Sequence, residues 1–246
     1  MAYCLGIIST DGNVYKNTIS VTCHRKDIDL LVFLSDSIGP GVPVEYRKDR
    51  NECRIRFNSR EMVSDLQKLG IHPNKSLTIE PPVEIPDDFL YDYLRGVFDG
   101  DGTVQLRGKS GLSSEIYSGS SLFISKLRER CNNIGKIYAK QGKRKKDKHP
   151  IYVWNFSKRE SLSLRSNMYN QECFCLLRKK NIFWSQDFST ENCQIFWKKE
   201  EVDFLISHSY MKDADIGKLL NRTTVSIQKK RRKLLLPRRR RFVEIA

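Results

Sequence analysis

The 246-residue chain has no long apolar run and few of the residues on which several enzyme chemistries depend. No stretch approaches the roughly 20 apolar residues that a membrane-spanning helix needs. Residues 1–8 contain neither a basic segment nor a cleavage site of small residues. We therefore expect neither a membrane protein nor a secreted one. The four histidines are scattered and no P-loop is present, so neither a nucleophilic triad nor nucleotide hydrolysis is indicated.

Cysteine is present, but not in the pattern of a disulfide framework or a zinc site. The seven cysteines are odd in number and irregularly spaced. Cys173 and Cys175 lack a second pair at the spacing of a zinc finger. We expect reduced thiols and a cytoplasmic protein.

Acidic residues are in short supply relative to basic ones. The chain has 44 Lys and Arg against 29 Asp and Glu, which gives a formal net charge of +15. This excess indicates a polyanionic partner. With 39% hydrophobic residues, the chain still has ample material for a packed core.

Two stretches of the chain repeat one another. Residues 3–14 and 93–104 share Tyr, Gly, Asp, Gly and Val at an offset of 90. The Phe-x-x-Arg-Glu sequences that begin at Phe57 and Phe156 are offset by 99. The hydrophobic periodicity also changes in the same order within each copy, which predicts two αββαββα units.

The periodicity and the turn residues define the predicted elements of each copy. The first copy has a helix to residue 10, extended chain at 13–24, helices at 26–38 and 60–69, and strands at 44–48 and 52–57. The second has helices at 87–98 and 122–134, strands at 103–106 and 115–119, a hairpin at 136–156 and further helix. Prolines between residues 81 and 86 mark the linker. The predicted domains are therefore 1–82, 83–189 and 190–246.

The repeated motif places small residues and a carboxylate at helical spacing. Gly96 and Gly100 share one helix face, and so do Gly6 and Thr10. Small residues four apart let two helices touch backbone to backbone. Each helix ends in Asp-Gly, where we expect the glycine to take a left-handed conformation. Packed together, the two helices would bring two aspartates close, which is unfavourable unless a divalent cation neutralises them.

Both segments resemble the LAGLIDADG motif of homing endonucleases, and residues 94–102, Leu-Arg-Gly-Val-Phe-Asp-Gly-Asp-Gly, approach its ideal form. The resemblance implies an α+β protein in which two αββαββα halves form a pseudo-twofold saddle on double-stranded DNA, with Gly6 and Gly96 at the helix interface. It also implies that Asp11 and Asp101 bind Mg²⁺ or Mn²⁺, assisted by the carbonyls of Thr10 and Gly100. The first motif departs from the pattern, with Ser9 where the second has Asp99.

The family places a basic residue near each metal site, late in each repeat. By position these residues are Lys75 and Lys179. Such a lysine would steady the scissile phosphate or the attacking water. Surface lysines are common in this chain, so an ordinary solvent-exposed role is the alternative.

Basic residues concentrate at the predicted hairpin tips. Residues 136–148 contain seven basic side chains and one acid. Hairpin tips of a saddle-shaped protein would follow the phosphate backbone, where positive charge releases counterions. The expected phosphate contacts are Lys143, Arg144, Lys145 and Lys146, with Arg47 and Lys48 as a weaker set in the first copy.

The C-terminal segment has a different pattern. Residues 191–246 carry 14 Lys and Arg against 7 Asp and Glu, and helices are predicted at 198–210, 213–220 and 224–235. The segment resembles a helix-turn-helix of the Myb or homeodomain kind. That resemblance implies a third helix in the major groove that presents Ser226, Gln228, Lys229 and Lys230. The tail with Arg238, Arg239 and Arg240 would contact phosphates or a minor groove, although a nuclear address would explain it equally well.

These features predict a site-specific, magnesium-dependent double-strand DNA endonuclease with an added DNA-binding domain. A non-catalytic transcription regulator on the same fold and an RNA maturase that assists intron splicing are the alternatives. Because both motifs lie in one chain, a monomer is expected.

Overall fold

The computed structural model describes residues 1–39, 41–107, 111–141, 149–169, 172–185, 197 and 199–236. The chain divides into two compact units, Met1–Glu191 and Asn192–Ala246. The predicted α+β fold with paired αββαββα repeats is confirmed. No helix within these ranges is both long enough and apolar enough to span a bilayer. The six cysteines that they include are all free thiols.

The first repeat is a four-stranded antiparallel sheet with three helices. Its elements are α1 (Ala2–Asp11), β1 (Gly12–Tyr15), β2 (Thr18–His24), α2 (Ile28–Ile38), β3 (Val44–Arg47), β4 (Glu52–Asn58) and α3 (Arg60–Lys68). The strand order is β1-β2-β4-β3. Ile19 and Val21 alternate with polar residues on β2 and are fully buried, so one sheet face packs against the helices.

The second repeat has the same topology. Its elements are α4 (Leu90–Asp101), β5 (Gly102–Arg107), β6 (Gly111–Ser118), α5 (Ser121–Arg130), β7 (Lys136–Lys140), β8 (Ile151–Phe156), α6 (Lys158–Met168) and α7 (Leu177–Trp184). Strand order β5-β6-β8-β7 matches that of the first sheet. Serine side chains cap a helix in each repeat: Ser59 at the start of α3 and Ser120 at the start of α5 each accept a hydrogen bond from the backbone N–H three residues later.

Several predicted boundaries are wrong, among them the three that follow, and local backbone geometry explains two of these three. The predicted extended segment 13–24 is two strands joined by a turn at Lys16, whose φ is 52°. The helix predicted to reach residue 134 ends at Arg130, because Asn132 and Asn133 both have a left-handed φ of 56°. The helix predicted to end at residue 98 continues to Asp101, so the whole motif is helical.

In the second unit, the described residues 199–236 form three helices. The unit contains α8 (Lys199–Ser207), α9 (Asp213–Leu219) and α10 (Thr224–Lys233), around a core of Leu205, Ile216 and Ile227. Two buried arginines hold its surface turns: Arg222 pairs with Glu201 at 2.8 Å, and Arg231 pairs with Asp213 at 2.6 Å. A helix-turn-helix function for this unit stays a prediction.

Candidate metal and nucleic-acid site

The two motif helices α1 and α4 pack at backbone contact. A Cβ atom added to Gly96 would lie 2.2 Å from the Tyr3 carbonyl oxygen, and one added to Gly6 would lie 2.3 Å from the Tyr93 carbonyl oxygen. Only glycine fits at either crossing position. The helix contact therefore depends on the small residues that the motif supplies.

Reciprocal tyrosine hydrogen bonds cross the same interface. The Tyr3 hydroxyl donates to Asp99 at 2.9 Å, and its repeat counterpart Tyr93 donates to Ser9 at 2.9 Å. The Leu176 backbone N–H also donates to Asp99, at 2.8 Å. Ser9, the repeat counterpart of Asp99, is thus the acceptor on the other side of the pseudo-twofold axis. The tyrosine hydrogen bond is kept even though the first motif has serine in place of aspartate.

The Asp-Gly pairs end the motif helices, but not through a left-handed glycine. Gly12 has φ −77° and ψ 144°, and Gly102 has φ −89° and ψ 157°. The expectation of a left-handed cap is therefore wrong. Glycine is needed there for space, since a Cβ atom would lie 2.4 Å from the Ile8 carbonyl oxygen in the first motif and 2.4 Å from the Phe98 carbonyl oxygen in the second. The chain leaves each helix directly into a strand.

Helix packing brings the carboxylates of Asp11 and Asp101 to the same end of the interface. Asp11 Oδ2 lies 3.3 Å from the position that a Cβ on Gly100 would take. Desolvation, followed by the nearby Asp11 carboxylate, raises the pKa of Asp101 to about 6. Desolvation also raises the pKa of Asp11, while the charges of Lys179 and Lys75 act in the opposite direction.

Lys75 and Lys179 are buried and bind the carbonyl ends of the motif helices. Lys75 Nζ donates to the carbonyls of Thr10 at 3.2 Å and Gly12 at 2.6 Å. The ammonium group of Lys179, with three N–H donors, lies within hydrogen-bonding distance of four carbonyl oxygens where α4 ends and β5 begins, those of Phe98, Asp99, Gly100 and Gly102, at 2.6 to 3.5 Å.

The two ammonium groups stabilise the negative ends of the helix dipoles. Burial lowers the pKa of Lys75 and lowers that of Lys179 to about 8, against the raising effect of nearby aspartates. Lys75 is 7% exposed and Lys179 is 4% exposed. The alternative interpretation, that both are ordinary solvent-exposed lysines, is therefore wrong.

The donor set suits a hard divalent cation. Asp11 and Asp101 supply carboxylate oxygens, the ligands that Mg²⁺ prefers in proteins. Thr10 and Gly100 directly precede these two aspartates in the sequence, but the carbonyl of each already accepts a hydrogen bond from a lysine. In the described part of the chain, no group of three or more His, Cys, Asp or Glu side chains could hold a metal. Any cation here would take only part of its coordination shell from these two carboxylates.

A cavity of about 340 Å³ opens beside Asp11 and contains an ion pair that the sequence did not reveal. Arg178 donates to both carboxylate oxygens of Asp27, at 2.6 and 2.8 Å. Asp27 precedes α2 in the first repeat and Arg178 lies on α7 in the second, so the pair connects the repeats. Asp27 and Arg178 are 151 positions apart, and a single sequence does not indicate that two such distant residues form a pair.

Arg47 and Lys48 lie where the first-sheet hairpin turns. Arg47 ends β3, where it pairs with Glu52 at 3.8 Å, and Lys48 is exposed in the turn. Arg54, which pairs with Glu45 at 2.5 Å, and Arg56 lie on β4, where they alternate with the buried Cys53 and Ile55; strand alternation could have identified them. Lys143, Arg144, Lys145 and Lys146 lie outside the described residues.

Two of the four residues on α10 that were predicted to contact DNA are exposed to solvent. Gln228 and Lys229 are exposed on α10, whereas Ser226 and Lys230 are half-buried. Lys230 Nζ lies 5.5 Å from the centre of the Trp197 ring. Arg238, Arg239 and Arg240 lie outside the described residues.

Residues 88–175 match the model of the LAGLIDADG-like domain family. Among solved structures, mesophilic variants of the homing endonuclease I-DmoI are 14% identical with a TM-score of 0.46, over 70% of this chain and 95% of that one. Full-length WhiA from Thermotoga maritima is 15% identical with a TM-score of 0.46, over 95% of this chain and 89% of that one. The I-LtrWI LAGLIDADG homing endonuclease, bound to target DNA, is 12% identical with a TM-score of 0.49, over 84% and 95%.

No curated protein matches the sequence. At these identities the structural likenesses concern the fold alone. The similarity to the LAGLIDADG-like domain family thus covers residues 88–175, within the second repeat.

Proposed function

We propose that the protein is a metal-dependent, site-specific DNA endonuclease that hydrolyses one phosphodiester bond in each strand of a duplex. The observation that carries this proposal is the convergence of Asp11 and Asp101 at the end of two helices in backbone contact. A purely structural interface has no need of two mutually repelling carboxylates, whose proximity contributes to the raised pKa of Asp101.

In this proposal Asp11 and Asp101 would hold Mg²⁺ or Mn²⁺, and the ion would supply an activated water and stabilise charge on the scissile phosphate. Lys75 and Lys179 keep the ends of α1 and α4 in place through their carbonyl bonds. Their positive charge also favours the ionised form of the carboxylates that bind the metal.

Double-stranded DNA is the proposed substrate because of the charge distribution. The chain has a net charge of +15, and Arg47, Arg54 and Arg56 lie on consecutive strands of the first sheet. The exposed Gln228 and Lys229 of α10 are proposed to contact DNA outside the catalytic unit. With both motifs in one chain, we propose that the protein acts as a monomer on a target that need not be palindromic.

A DNA-binding regulator without nuclease activity is the second candidate, and one observation favours it. The carbonyls of Thr10 and Gly100, which the resemblance implies as metal ligands, already accept hydrogen bonds from Lys75 and Lys179. In a regulator, these lysines would serve only to neutralise the buried helix ends.

Selection from a randomised duplex library distinguishes the two candidates. The full chain is incubated with the library and Mg²⁺, and both cleaved and bound duplexes are sequenced. The endonuclease proposal predicts that a single class of sequences is cut in both strands. Sequence-specific binding without cleavage in Mg²⁺ or Mn²⁺ would favour the regulator.

A further inference from the structure

The cavity beside Asp11 contains an arginine to which the proposed cleavage chemistry assigns no role. Its lining includes Asp11 and Gly100, from the ends of the two motif helices, together with Asp27 and Arg178. At about 340 Å³ the cavity has the volume of about ten water molecules, so a phosphodiester group has room to enter. A group bound there would lie against a candidate metal ligand and against Arg178 at the same time.

Arg178 keeps part of its hydrogen-bonding capacity free. Its Nε and Nη2 atoms donate to the two carboxylate oxygens of Asp27, at 2.6 and 2.8 Å. A guanidinium group has five N–H donors, so one on Nη2 and two on Nη1 remain. Within the part of the chain that the structure describes, none of the three has an acceptor. Arg178 can therefore bind an anion without giving up its bonds to Asp27.

Solvent exposure indicates which of the two side chains would meet a ligand. The Asp27 side chain is 8% exposed, whereas that of Arg178 is 43% exposed. The carboxylate thus lies behind the guanidinium, and the bidentate pairing fixes the plane of the arginine. The hydrogen bond to Asp27, opposed by burial, raises the pKa of Arg178, so the group stays cationic.

The rest of the cavity would repel a phosphate. Four carboxylates belong to its lining, those of Asp11, Asp27, Glu52 and Asp99. Arg50 also lies in the lining, but it pairs with Asp49 at 3.6 Å and its side chain is largely exposed. Arg178 is therefore the cation that is fixed in position beside Asp11, where it offsets the surrounding negative charge.

The Asp27–Arg178 pair has no charged counterpart in the second half of the site. Three buried residues of α2 match three of α5 at an offset of 93 residues: Leu30 with Phe123, Leu31 with Ile124 and Leu34 with Leu127. Asp27 therefore corresponds to Ser120. The Ser120 hydroxyl is used within the fold, since it donates to the Ile79 carbonyl at 2.6 Å and accepts from the Phe123 N–H at 3.2 Å.

The counterpart of Arg178 is also uncharged. Lys75 and Lys179 donate to equivalent carbonyls, those of Gly12 and Gly102. The residue before each lysine is Asn74 in the first repeat and Arg178 in the second. An arginine contact of this kind would therefore serve only one of the two strands of a duplex.

On the basis of the nuclease function proposed above, we propose that Arg178 is a further catalytic residue, which contacts the scissile phosphate of the strand cut on the Asp11 side. Asp27 is its positioning residue. The free N–H groups would donate to non-bridging phosphate oxygens and stabilise the negative charge that develops as water attacks. One strand then depends on an arginine supplied by the second repeat, and the other strand does not.

Strand-resolved cleavage by Arg178→Gln tests the assignment. The full chain is incubated with Mg²⁺ and the selected duplex, labelled separately on its two strands. One strand should be cut at least about tenfold more slowly, as the loss of a hydrogen bond between charged groups implies. The other should be cut at a rate close to that of the parent protein, so nicked duplex should accumulate. Arg178→Lys keeps the charge but not the planar fork, and should restore part of the lost rate.

Asp27→Asn tests the positioning role. It should slow the same strand, because a neutral amide holds the guanidinium less firmly. Once Arg178 is replaced, Asp27 has nothing to position. The double variant should therefore cut this strand no more slowly than Arg178→Gln alone.

A matched control removes another arginine–aspartate pair of the second repeat. Arg130 donates to Asp87 at 2.8 Å. Asp87 precedes α4, whose twelve residues place Asp101 about 18 Å further along the helix axis. Arg130→Gln makes the same change in charge and should leave the ratio of the two strand rates unchanged.

Binding without metal separates this proposal from the nuclease proposal. Duplexes with one uncharged methylphosphonate at successive central positions are titrated in EDTA with the parent protein and with Arg178→Gln. The parent should lose affinity about threefold or more at one position of one strand, and the variant should show no loss there. This pattern in a protein that cuts no DNA would keep Arg178 as a phosphate contact and overturn the nuclease proposal.

Two results would overturn the assignment of Arg178. Arg178→Gln could leave the ratio of the two strand rates unchanged, whether or not both rates fall, which would leave the arginine a structural role only. Alternatively, the parent protein and the variant could respond equally to every methylphosphonate, which would show that Arg178 contacts no phosphate.

Discussion

Gly96→Ala tests the helix contact on which the site is built. The added Cβ would lie 2.2 Å from the Tyr3 carbonyl oxygen, 3.0 Å from Gly6 Cα and 3.1 Å from the Ile7 backbone nitrogen. All three are backbone atoms, so no side-chain rotation can relieve the overlap. Because carbon and oxygen approach one another to about 3.3 Å, α1 and α4 must separate by about 1 Å.

In an exposed helix, Gly→Ala would stabilise the protein by about 1 kcal/mol. Here overpacking reverses the sign, and we expect the free energy of unfolding to fall by about 2 kcal/mol or more. In a unit of this size the midpoint temperature of unfolding should fall by about 4 °C or more. Separation of the helices should also move Asp11 away from Asp101 and reduce cleavage.

Calorimetry of the variant is compared with Gly39→Ala. Gly39 has φ 161°, which any residue can adopt, and no atom lies within 4 Å of a Cβ added there. This control should change the free energy of unfolding by less than about 0.5 kcal/mol. If Gly96→Ala were as stable as Gly39→Ala, the backbone contact between the motif helices would be refuted.

Three further predictions concern the ion pair, the carboxylates and the C-terminal unit. A double-mutant cycle with Asp27→Asn and Arg178→Gln should give a coupling energy of about 1 kcal/mol, since the arginine is partly exposed; zero coupling in chemical denaturation would remove this link between the repeats. Without divalent cations, stability should decrease as pH rises through about 6, because the folded pKa of Asp101 lies above its usual value of 3.8 and the protonated form is favoured in the folded state. Asp101→Asn should weaken this pH dependence in thermal melts, and an unchanged slope would contradict the assignment. A chain ending at Ser189 should keep metal-dependent cleavage, but each lost phosphate contact should reduce its log-log salt slope by roughly 0.9; an unchanged slope and footprint would refute DNA contact by the C-terminal unit.

Local patterns were sufficient to predict the repeated αββαββα topology. Strand alternation and helical periodicity depend on which residues are buried, and both copies bury equivalent positions. The helix ends were less predictable, because the tandem left-handed asparagines at 132 and 133 end α5 in a segment that still has helical periodicity. Periodicity reports burial, whereas helix termination depends on the conformation of single residues.

The helix contact at the site was predictable and its hydrogen bonds were not. Small residues four apart indicated close packing, which the clash positions at Gly6 and Gly96 confirm. The bonds from Tyr3 to Asp99 and from Tyr93 to Ser9 depend on the helix register, which one sequence does not specify.

The sequence identified the two buried lysines but did not predict what they contact. The family resemblance, which places a basic residue late in each repeat, identified Lys75 and Lys179, and the expected contact was with phosphate or water. The structure places both ammonium groups against backbone carbonyls. Carbonyl acceptors exist at every residue and leave no trace in the sequence, so this interaction could not be predicted. The phosphate contact stays a proposal.

Strand cleavage by Asp11→Asn and Asp101→Asn tests the central claim most directly. Each variant is assayed with Mg²⁺ on a selected duplex labelled separately on the two strands, and binding is measured in parallel. Because each carboxylate is proposed to bind metal, neither variant should yield double-strand product, while affinity for the duplex should change little. If either variant cut both strands at the rate of the parent protein, the assignment of these aspartates as the catalytic metal ligands would be contradicted.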